Sequence, residues 1–300
     1  MANVAILGST GMLGATMAKV LDENCINLFE FNRSGVSITK STQAEEFDVI
    51  KRNNLDKIFK RFNLDYIVNC IGIVNHLINN KDQNSIDLAY KVNAEFPATL
   101  NDYSIKSGIP VITIGTDCVY SGKDGNYSEI DGFDPIDHYG ISKSMGEKAS
   151  TTSMVIRCSI IGRETNASNS LLEWLLAHPK DAVINGYINH IWNGITNLHF
   201  SQVVAGIIKN SNFKAGKLHL VPKDLVSKFE LLRIMAREFG RADLRIDKFE
   251  SKTSINRSLI TTDTERNLRL WQDGGYNDIP TIEEMISTYS TWTQLWKSRY

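Results

Sequence analysis

Short apolar runs alternate with amphipathic stretches through the first half of the chain. The runs Asn3 to Leu7, Ile26 to Phe31, Tyr66 to Cys70, Val111 to Gly115 and Met154 to Cys158 predict strands. Between them, Gly11 to Asp22 and Asn54 to Phe62 predict helices, and Asp87 to Gly108 predicts a longer one with glycine where a C-cap belongs. Strands and helices in strict alternation imply a parallel sheet with helices on both faces, an α/β doubly wound architecture. After Ile160 the strand signal becomes sparse, while Asn169 to Ala177, Ser201 to Lys209 and Ser227 to Gly240 read as helices. Ser227 stands three residues before Glu230, the spacing of a capping box. The pattern thus predicts a domain over 1–160 and a smaller C-terminal lobe over 161–300, some of whose segments return to the first core.

Composition narrows the classes of function. The chain has 300 residues, of which 42% are hydrophobic and 22% charged, enough for a large folded core. Its formal net charge of -1 lacks the basic footprint of a nucleic-acid binder, so an anionic ligand must be held by local groups. No apolar run approaches the ~20 residues of a membrane span, and no export signal is evident, so the expected location is the cytoplasm, away from the membrane. Cys25, Cys70, Cys118 and Cys158 lie far apart, with no Cys-x-x-Cys pair, and are expected to be reduced thiols with no bound metal.

The turn after the first strand carries the first chemistry. Gly8, Gly11 and Gly14 are spaced three apart, between an apolar strand and an amphipathic helix. The first two let the backbone turn and approach a pyrophosphate, and the third lets the helix lie close to the strand. The helix N-terminus supplies amide donors and partial positive charge. Thr10, Met12 and Leu13 complete this candidate phosphate-binding set of a Rossmann dinucleotide domain. The second strand runs into Asn32-Arg33-Ser34 rather than ending on a carboxylate. Arg33 suits the 2′-phosphate of NADP(H), which is therefore favoured, with NAD(H) the alternative if Glu30 reaches the ribose. Cys70, Ile71 and Gly72 follow the third strand, where glycine lets the chain pass over the adenosine ribose.

A second constellation lies further along. Strand Val111 to Gly115 delivers Thr116 and Asp117, and a later helix carries Tyr139 and Lys143 four residues apart on one face. A phenol of pKa ~10 exchanges protons poorly at neutral pH unless neighbouring positive charge stabilises the phenolate. Lys143 and an oxidised nicotinamide provide such charge, and the lysine can also hold the nicotinamide ribose. Thr116 would hydrogen-bond the substrate carbonyl, so that hydride and proton arrive together.

These residues resemble a known family. The run Gly115-Thr116-Asp117-Cys118-Val119-Tyr120-Ser121-Gly122, then Tyr127-Ser128-Glu129, Pro135, Tyr139-Gly140-Ile141-Ser142-Lys143 and Gly146-Glu147 are similar to the dTDP-4-dehydrorhamnose reductase family of extended short-chain dehydrogenases/reductases. Val92-Asn93-Ala94-Glu95 also fits, on the helix whose Asn braces the active site in that superfamily. The resemblance implies NAD(P)H-dependent reduction of a 4-keto nucleotide sugar, with Thr116, Tyr139 and Lys143 as the catalytic set and Asn93 behind them. It implies that Asp48, followed by Val49, faces the adenine amino group.

The second lobe departs from the family pattern. Gly186 to Thr196 replaces a segment near Asp-Gln-x-Gly-x-Pro-Thr, Cys118 replaces a tyrosine, and Ile160 stands where a tryptophan is usual. Cys118 and Ile160 border the sugar, which points to a different hexose. Trp192 is a candidate to stack on a base or to fill the lobe interface, and His190 a contact or a solvated loop residue. Arg157, Arg163 and Arg257 are candidates for the diphosphate, with Arg257 first. The rival functions are an NAD-dependent nucleotide-sugar epimerase or dehydratase, and a non-catalytic nucleotide-binding regulatory subunit such as the partner of methionine adenosyltransferase. A homodimer is compatible with the sequence.

Overall fold

The computed structural model describes residues 1–40, 42–51, 55–164 and 170–299, with side chains as far as Leu295. The first lobe contributes β1 (Asn3–Leu7), α1 (Met12–Glu23), β2 (Asn27–Asn32), β3 (Ala44–Glu46), α2 (Leu55–Phe59), β4 (Tyr66–Asn69), α3 (Gln83–Tyr90), α4 (Phe96–Ser107), β5 (Val111–Ile114), α5 (His138–Ala149) and β6 (Met154–Arg157). The rest comprises β7 (Ile160–Ile161), α6 (Leu171–Leu176), β8 (Val183–Tyr187), β9 (His190–Trp192), β10 (Ile195–Thr196), α7 (Asn197–Lys209), β11 (Gly216–His219), β12 (Val226–Ser227), α8 (Lys228–Glu238), β13 (Arg245–Phe249), β14 (Ile255–Asn256), α9 (Thr264–Asp273) and α10 (Ile282–Arg299). The expected helix starts at Asn54 and Asn169 lie outside the described residues.

Seven parallel strands form the main sheet in the order β11-β6-β5-β4-β1-β2-β3. The order reverses between β1 and β4, and in sheets of this kind ligands bind beyond the carboxyl ends of the strands at that reversal. Val4, Ile6, Val68, Ile112, Met154 and Ile156 face one core, with Leu13, Met17 and Leu21 of α1; Ala5, Leu7, Ile67 and Val111 face the other, with Phe31, Phe47, Phe59 and Phe96. Burial on both faces is why these strands read as apolar runs.

Two expectations need correction. The long helix from Asp87 to Gly108 is interrupted: α3 gives way to a π-helical turn over Lys91–Glu95 before α4 begins. Pro97 has no amide hydrogen to return to the Asn93 carbonyl, and Gly146 of α5 packs so tightly there that a Cβ would lie 2.1 Å from that oxygen. The helix does end on Gly108, at φ +75°. The second lobe also holds more strands than its sequence suggests, in a three-stranded sheet β12-β9-β14 and the pairs β10-β7 and β13-β8. Strands of two to five residues are too short to display a periodicity, and their partners are remote in sequence.

The lobes interleave. β11 pairs with β6 inside the main sheet, and α7 packs on α1, where Asn197 Nδ2 donates to the Met12 carbonyl (3.1 Å) and to Thr16 Oγ1 (2.9 Å). The Ser227–Glu230 capping box forms as expected at the start of α8.

Candidate active site

The glycine turn sits at the strand-order reversal. Gly8 adopts φ +83°, a conformation glycine takes without strain. A Cβ on Gly14 would lie 2.1 Å from the Gly8 carbonyl oxygen, so glycine alone lets α1 begin this close to β1. Gly11 is exposed and, as the residue before α1, brings no side chain to cap its first amides. An uncapped helix N-terminus above an open glycine surface fits the pyrophosphate of a dinucleotide, and Thr10, Met12 and Leu13 lie in this same turn. Cys70, Ile71 and Gly72 form the adjoining wall: the Cys70 amide donates to the Leu7 carbonyl (3.0 Å), and the Ile71 side chain meets Gly8. Burial pushes the Cys70 thiol up to about 12, which leaves it chemically quiet.

The loop after β2 is tied to the glycine turn through Asn32. Its Nδ2 donates to Ser9 Oγ (2.8 Å) and to the Val36 carbonyl (2.9 Å), while its Oδ1 accepts from the Ser34 amide and hydroxyl. Arg33 is left exposed on this loop, with no side-chain hydrogen bond or ion pair among the described residues. Glu30 is wholly buried and does not reach the cleft. Its carboxylate accepts from the Ile38 and Thr39 amides and from the Ser37, Thr39 and Thr42 hydroxyls. Burial alone would raise its pKa, but these bonds outweigh burial and hold it below the usual value. Asp48 follows β3, with Val49 after it, and turns Oδ1 to the Ile50 amide (3.0 Å).

The second group gathers beyond β5. Thr116 caps a 3-10 turn over Asp117–Val119, its Oγ1 accepting from the Cys118 amide at 3.2 Å. Asp137 caps α5 through the Gly140 amide (2.8 Å) and accepts from Asn75 Nδ2 (2.8 Å). A Cβ on Gly140 would stand 2.1 Å from the Cys118 carbonyl oxygen. That contact packs the start of α5 onto the Thr116 turn and gives Tyr139 a hydrogen bond with Thr116. Tyr139 also packs with Ile73, Ile86 and Tyr90. Asn93, buried on the π turn, clamps Ile73 through both its amide (2.9 Å) and its carbonyl (2.8 Å), and donates to Ser142 of α5 (3.1 Å).

The electrostatics of the pair differ from the expectation. Burial raises the Tyr139 phenol well above its ordinary value; Cys118, Asp117 and Asp137 add to the rise, and Thr116 partly offsets it. The Lys143 ammonium is directed to the Ile114 carbonyl (3.0 Å), and burial lowers its pKa while Glu147 opposes that. In the protein by itself Tyr139 therefore keeps its proton, because burying a phenolate costs more than the Thr116 hydrogen bond returns.

Two candidate arginines are structural. Arg157 is 1% exposed and spends its guanidinium on Glu147 (2.6 Å), the Tyr120 hydroxyl (2.9 Å) and His219 (3.1 Å). Arg163 pairs with Glu173, and its amide donates to Tyr289 (2.7 Å). Arg257 does reach the site, donating from Nε to the Tyr120 carbonyl (3.0 Å) and from Nη1 toward Cys118 Sγ (3.8 Å). Trp192 must be reassigned from base stacking to packing. It is 4% exposed, its indole N–H donates to Ser159 Oγ (2.8 Å), Lys228 covers one face and Gly194 lies against the ring. His190 bonds the Thr253 carbonyl and stacks on Tyr187.

Other contributors emerge only in three dimensions. Asp137 has a local signal, an aspartate three residues before Gly140 at a helix start. Glu147 already stands within the Gly146-Glu147 motif, ten positions before its partner Arg157; Lys228 has no such signal, since it meets Trp192 from 36 positions away.

Residues 2–258 match the RmlD substrate binding domain family. The chain is 25% identical over 242 residues to the dTDP-4-dehydrorhamnose reductase of Aggregatibacter actinomycetemcomitans, an alignment covering 77% of this chain and 76% of that protein. Among solved structures it resembles dTDP-4-dehydrorhamnose reductase from Bacillus anthracis str. Ames in complex with NADP, with TM-score 0.76, 19% identity and coverage of 98% and 100% of the two chains. It also resembles dTDP-glucose 4,6-dehydratase of that organism in complex with NAD, with TM-score 0.74, 13% identity and coverage of 98% and 97%. The family match spans the glycine turn, the Thr116 turn, the Tyr139 helix and Arg257, and on that extent the chain belongs to the RmlD substrate-binding-domain family of dTDP-4-dehydrorhamnose reductase-like proteins.

Proposed function

We propose that this protein reduces the 4-keto group of a nucleoside-diphosphate sugar at the expense of NADPH, in the cytoplasmic synthesis of a surface-polysaccharide precursor. The observation that carries the reading is the convergence of Thr116 and Tyr139, locked together by the Gly140–Cys118 contact, at the carboxyl edge that also bears the Gly8 turn. Four unpaired cysteines suit a reducing compartment.

The Gly8–Gly14 turn and the α1 N-terminus would hold the dinucleotide diphosphate, and Arg33 the 2′-phosphate. Bound there, NADPH supplies hydride to the carbonyl carbon. The Thr116 hydroxyl, oriented by the Cys118 amide, would turn its one proton from Asp117 Oδ1 to the carbonyl oxygen and draw charge onto it. Tyr139, still protonated because of its burial, delivers its proton to that oxygen as negative charge develops there. Lys143 offers its remaining donors to the nicotinamide ribose and stabilises the tyrosinate left behind. Asn93 keeps α5 and the Ile73 segment in register.

The test is NADPH oxidation by the purified protein with dTDP-4-dehydrorhamnose present and absent, repeated with Tyr139→Phe. Sugar-dependent oxidation is expected, with kcat at least ~100-fold lower in the variant while NADPH affinity is kept. Turnover by the variant within about tenfold of the unmodified protein would remove Tyr139 as proton donor. Tightly retained NAD and no net NADPH consumption would move the protein to the epimerase and dehydratase group.

A further inference from the structure

Next along α5 from the catalytic pair stands a buried carboxylate that the proposed mechanism leaves unused. Tyr139, Lys143 and Glu147 follow one another at intervals of four on α5, so they share one face of that helix. The head groups of Lys143 and Glu147 end at the same piece of backbone, the exit of β5. Lys143 Nζ donates to the Ile114 carbonyl (3.0 Å), and a Cβ on Gly115, the next residue, would lie 2.8 Å from Glu147 Oε1. Glu147 is 3% exposed and its partner Arg157 1%. One carboxylate oxygen makes that ion pair. Oε2 accepts from Arg157 Nε (2.6 Å), while Oε1 is enclosed with no hydrogen-bond partner among the described residues.

Stability alone does not account for this arrangement. The cost of desolvating a carboxylate and a guanidinium is offset only when the remaining lone pairs are satisfied, and a two-pronged pairing would have satisfied both oxygens. Arg157 instead turns Nη1 to the Tyr120 hydroxyl and His219, which leaves Glu147 Oε1 against the strand end that Lys143 also reaches. We propose that Glu147 is a positioning residue for the reduction: its unpartnered oxygen keeps Lys143 an ammonium at the end of β5, where the tyrosinate left by proton transfer needs it. The inference rests on the reductase reading above. Burial lowers the Lys143 pKa, and Glu147 is the first group to oppose that fall. A neutral amine in this place could not balance a buried phenolate. Once the Tyr139 O–H bond breaks and its proton passes to the sugar oxygen, Tyr139, Lys143, Glu147 and Arg157 carry charges of alternating sign. Each then has an opposite neighbour, as a site shielded from water requires. The other titratable groups nearby do not replace Glu147. The Cys158 thiol after β6 faces Lys143, but burial raises it far and it stays neutral. On the Glu147 side, Tyr120 is raised to about 12 and is neutral too, while Arg157 and Lys217 of β11 are cations.

The experiment follows Lys143 itself, by NMR of the full chain with lysines labelled with carbon-13 at Cε, the signal being assigned by its absence in Lys143→Arg. The unmodified protein is compared with Glu147→Gln and with Glu147→Gln/Arg157→Met. The double variant removes both buried charges together, so no uncompensated one remains to unfold it. In both variants Lys143 should titrate about one pH unit or more below its unmodified value. With NADPH and dTDP-4-dehydrorhamnose, kcat should fall about tenfold on the alkaline side of that titration and no more than about threefold at pH 6.5, since one pK unit is a tenfold change in the ionised fraction. A double variant that melts as a folded protein and titrates Lys143 at the unmodified pH, or a loss of kcat equal at all pH values, would reduce Glu147 to a structural partner of Arg157. Either result overturns the inference and leaves the reductase reading intact. No turnover of the sugar by the unmodified protein would sink the reductase reading, and with it the purpose given to Glu147, even where the titration moves as expected.

Discussion

Arg33 and Glu30 show how two charged residues three apart in sequence take opposite fates. Glu30 turns inward and is consumed by five donors of its own loop, whereas Arg33 stays in solvent beside the glycine turn. Replacing Arg33 with Ala should raise KM for NADPH by about 10- to 100-fold and leave KM for NADH within about threefold, as expected for losing charge-assisted bonds to a phosphate. Steady-state kinetics with both nucleotides checks this, and parallel losses would place Arg33 outside the 2′-phosphate site. The identity of such residues is legible in sequence, but their partners are not. Arg157, Arg163 and Arg257 look alike along the chain; only the fold reveals that Glu147 and Glu173 occupy the first two. Trp192 is a similar case, because the Ser159 and Lys228 that enclose it stand 33 and 36 positions away.

At the scale of elements, the contact of α5 with the Thr116 turn decides whether the catalytic groups meet. Gly140→Ala would place a methyl 2.1 Å from the Cys118 carbonyl oxygen, which neither backbone can absorb locally. Stability should fall by about 1–3 kcal/mol from overpacking. Since displacement near 1 Å weakens a catalytic arrangement about 100-fold, kcat should fall by a similar factor. Gly132→Ala, with nothing within 4 Å, is the matched control and should change neither quantity. Denaturant melts and kinetics on the two variants measure the difference. Elements with a strong local pattern were the readable ones: β1, β4, β5 and β6 coincide with apolar runs to within a residue. The π turn was hidden because a proline inside a helical pattern signals a break without saying how the chain repairs it. The short strands β7 to β14, β11 excepted, depend on pairings rather than on propensity, which no single segment displays.

For the molecule as a whole, acid stability should be set first by buried imidazoles. His219 donates through Nδ1 to the Ile260 carbonyl (2.7 Å) and faces an Arg157 N–H with Nε2, so it is held neutral. Burial lowers its pKa from 6.5 to about 4, and His199 is lowered by burial to about 3. The unfolded chain therefore binds protons that the native one refuses, so this contribution is complete above pH 6.5 and is lost as pH falls from there toward 4 and below. Glu129 acts in a later window: against its burial, bonds from Thr261, Thr262 and His219 lower it from 4.5 to about 2, and its share disappears between those values. Thermal melts should show Tm declining from about pH 6.5, before most carboxylates titrate; a flat Tm down to pH 4.5 would contradict it. The exchange of segments between the lobes has a separate bearing on how the chain can be divided. Strand β11 shields the flank of β6, whose Met154, Val155 and Ile156 are fully enclosed. A polypeptide stopped at residue 160 would expose that flank as a bare, sticky ribbon ready to recruit another copy, so the genetic halves of this protein are not mechanical halves.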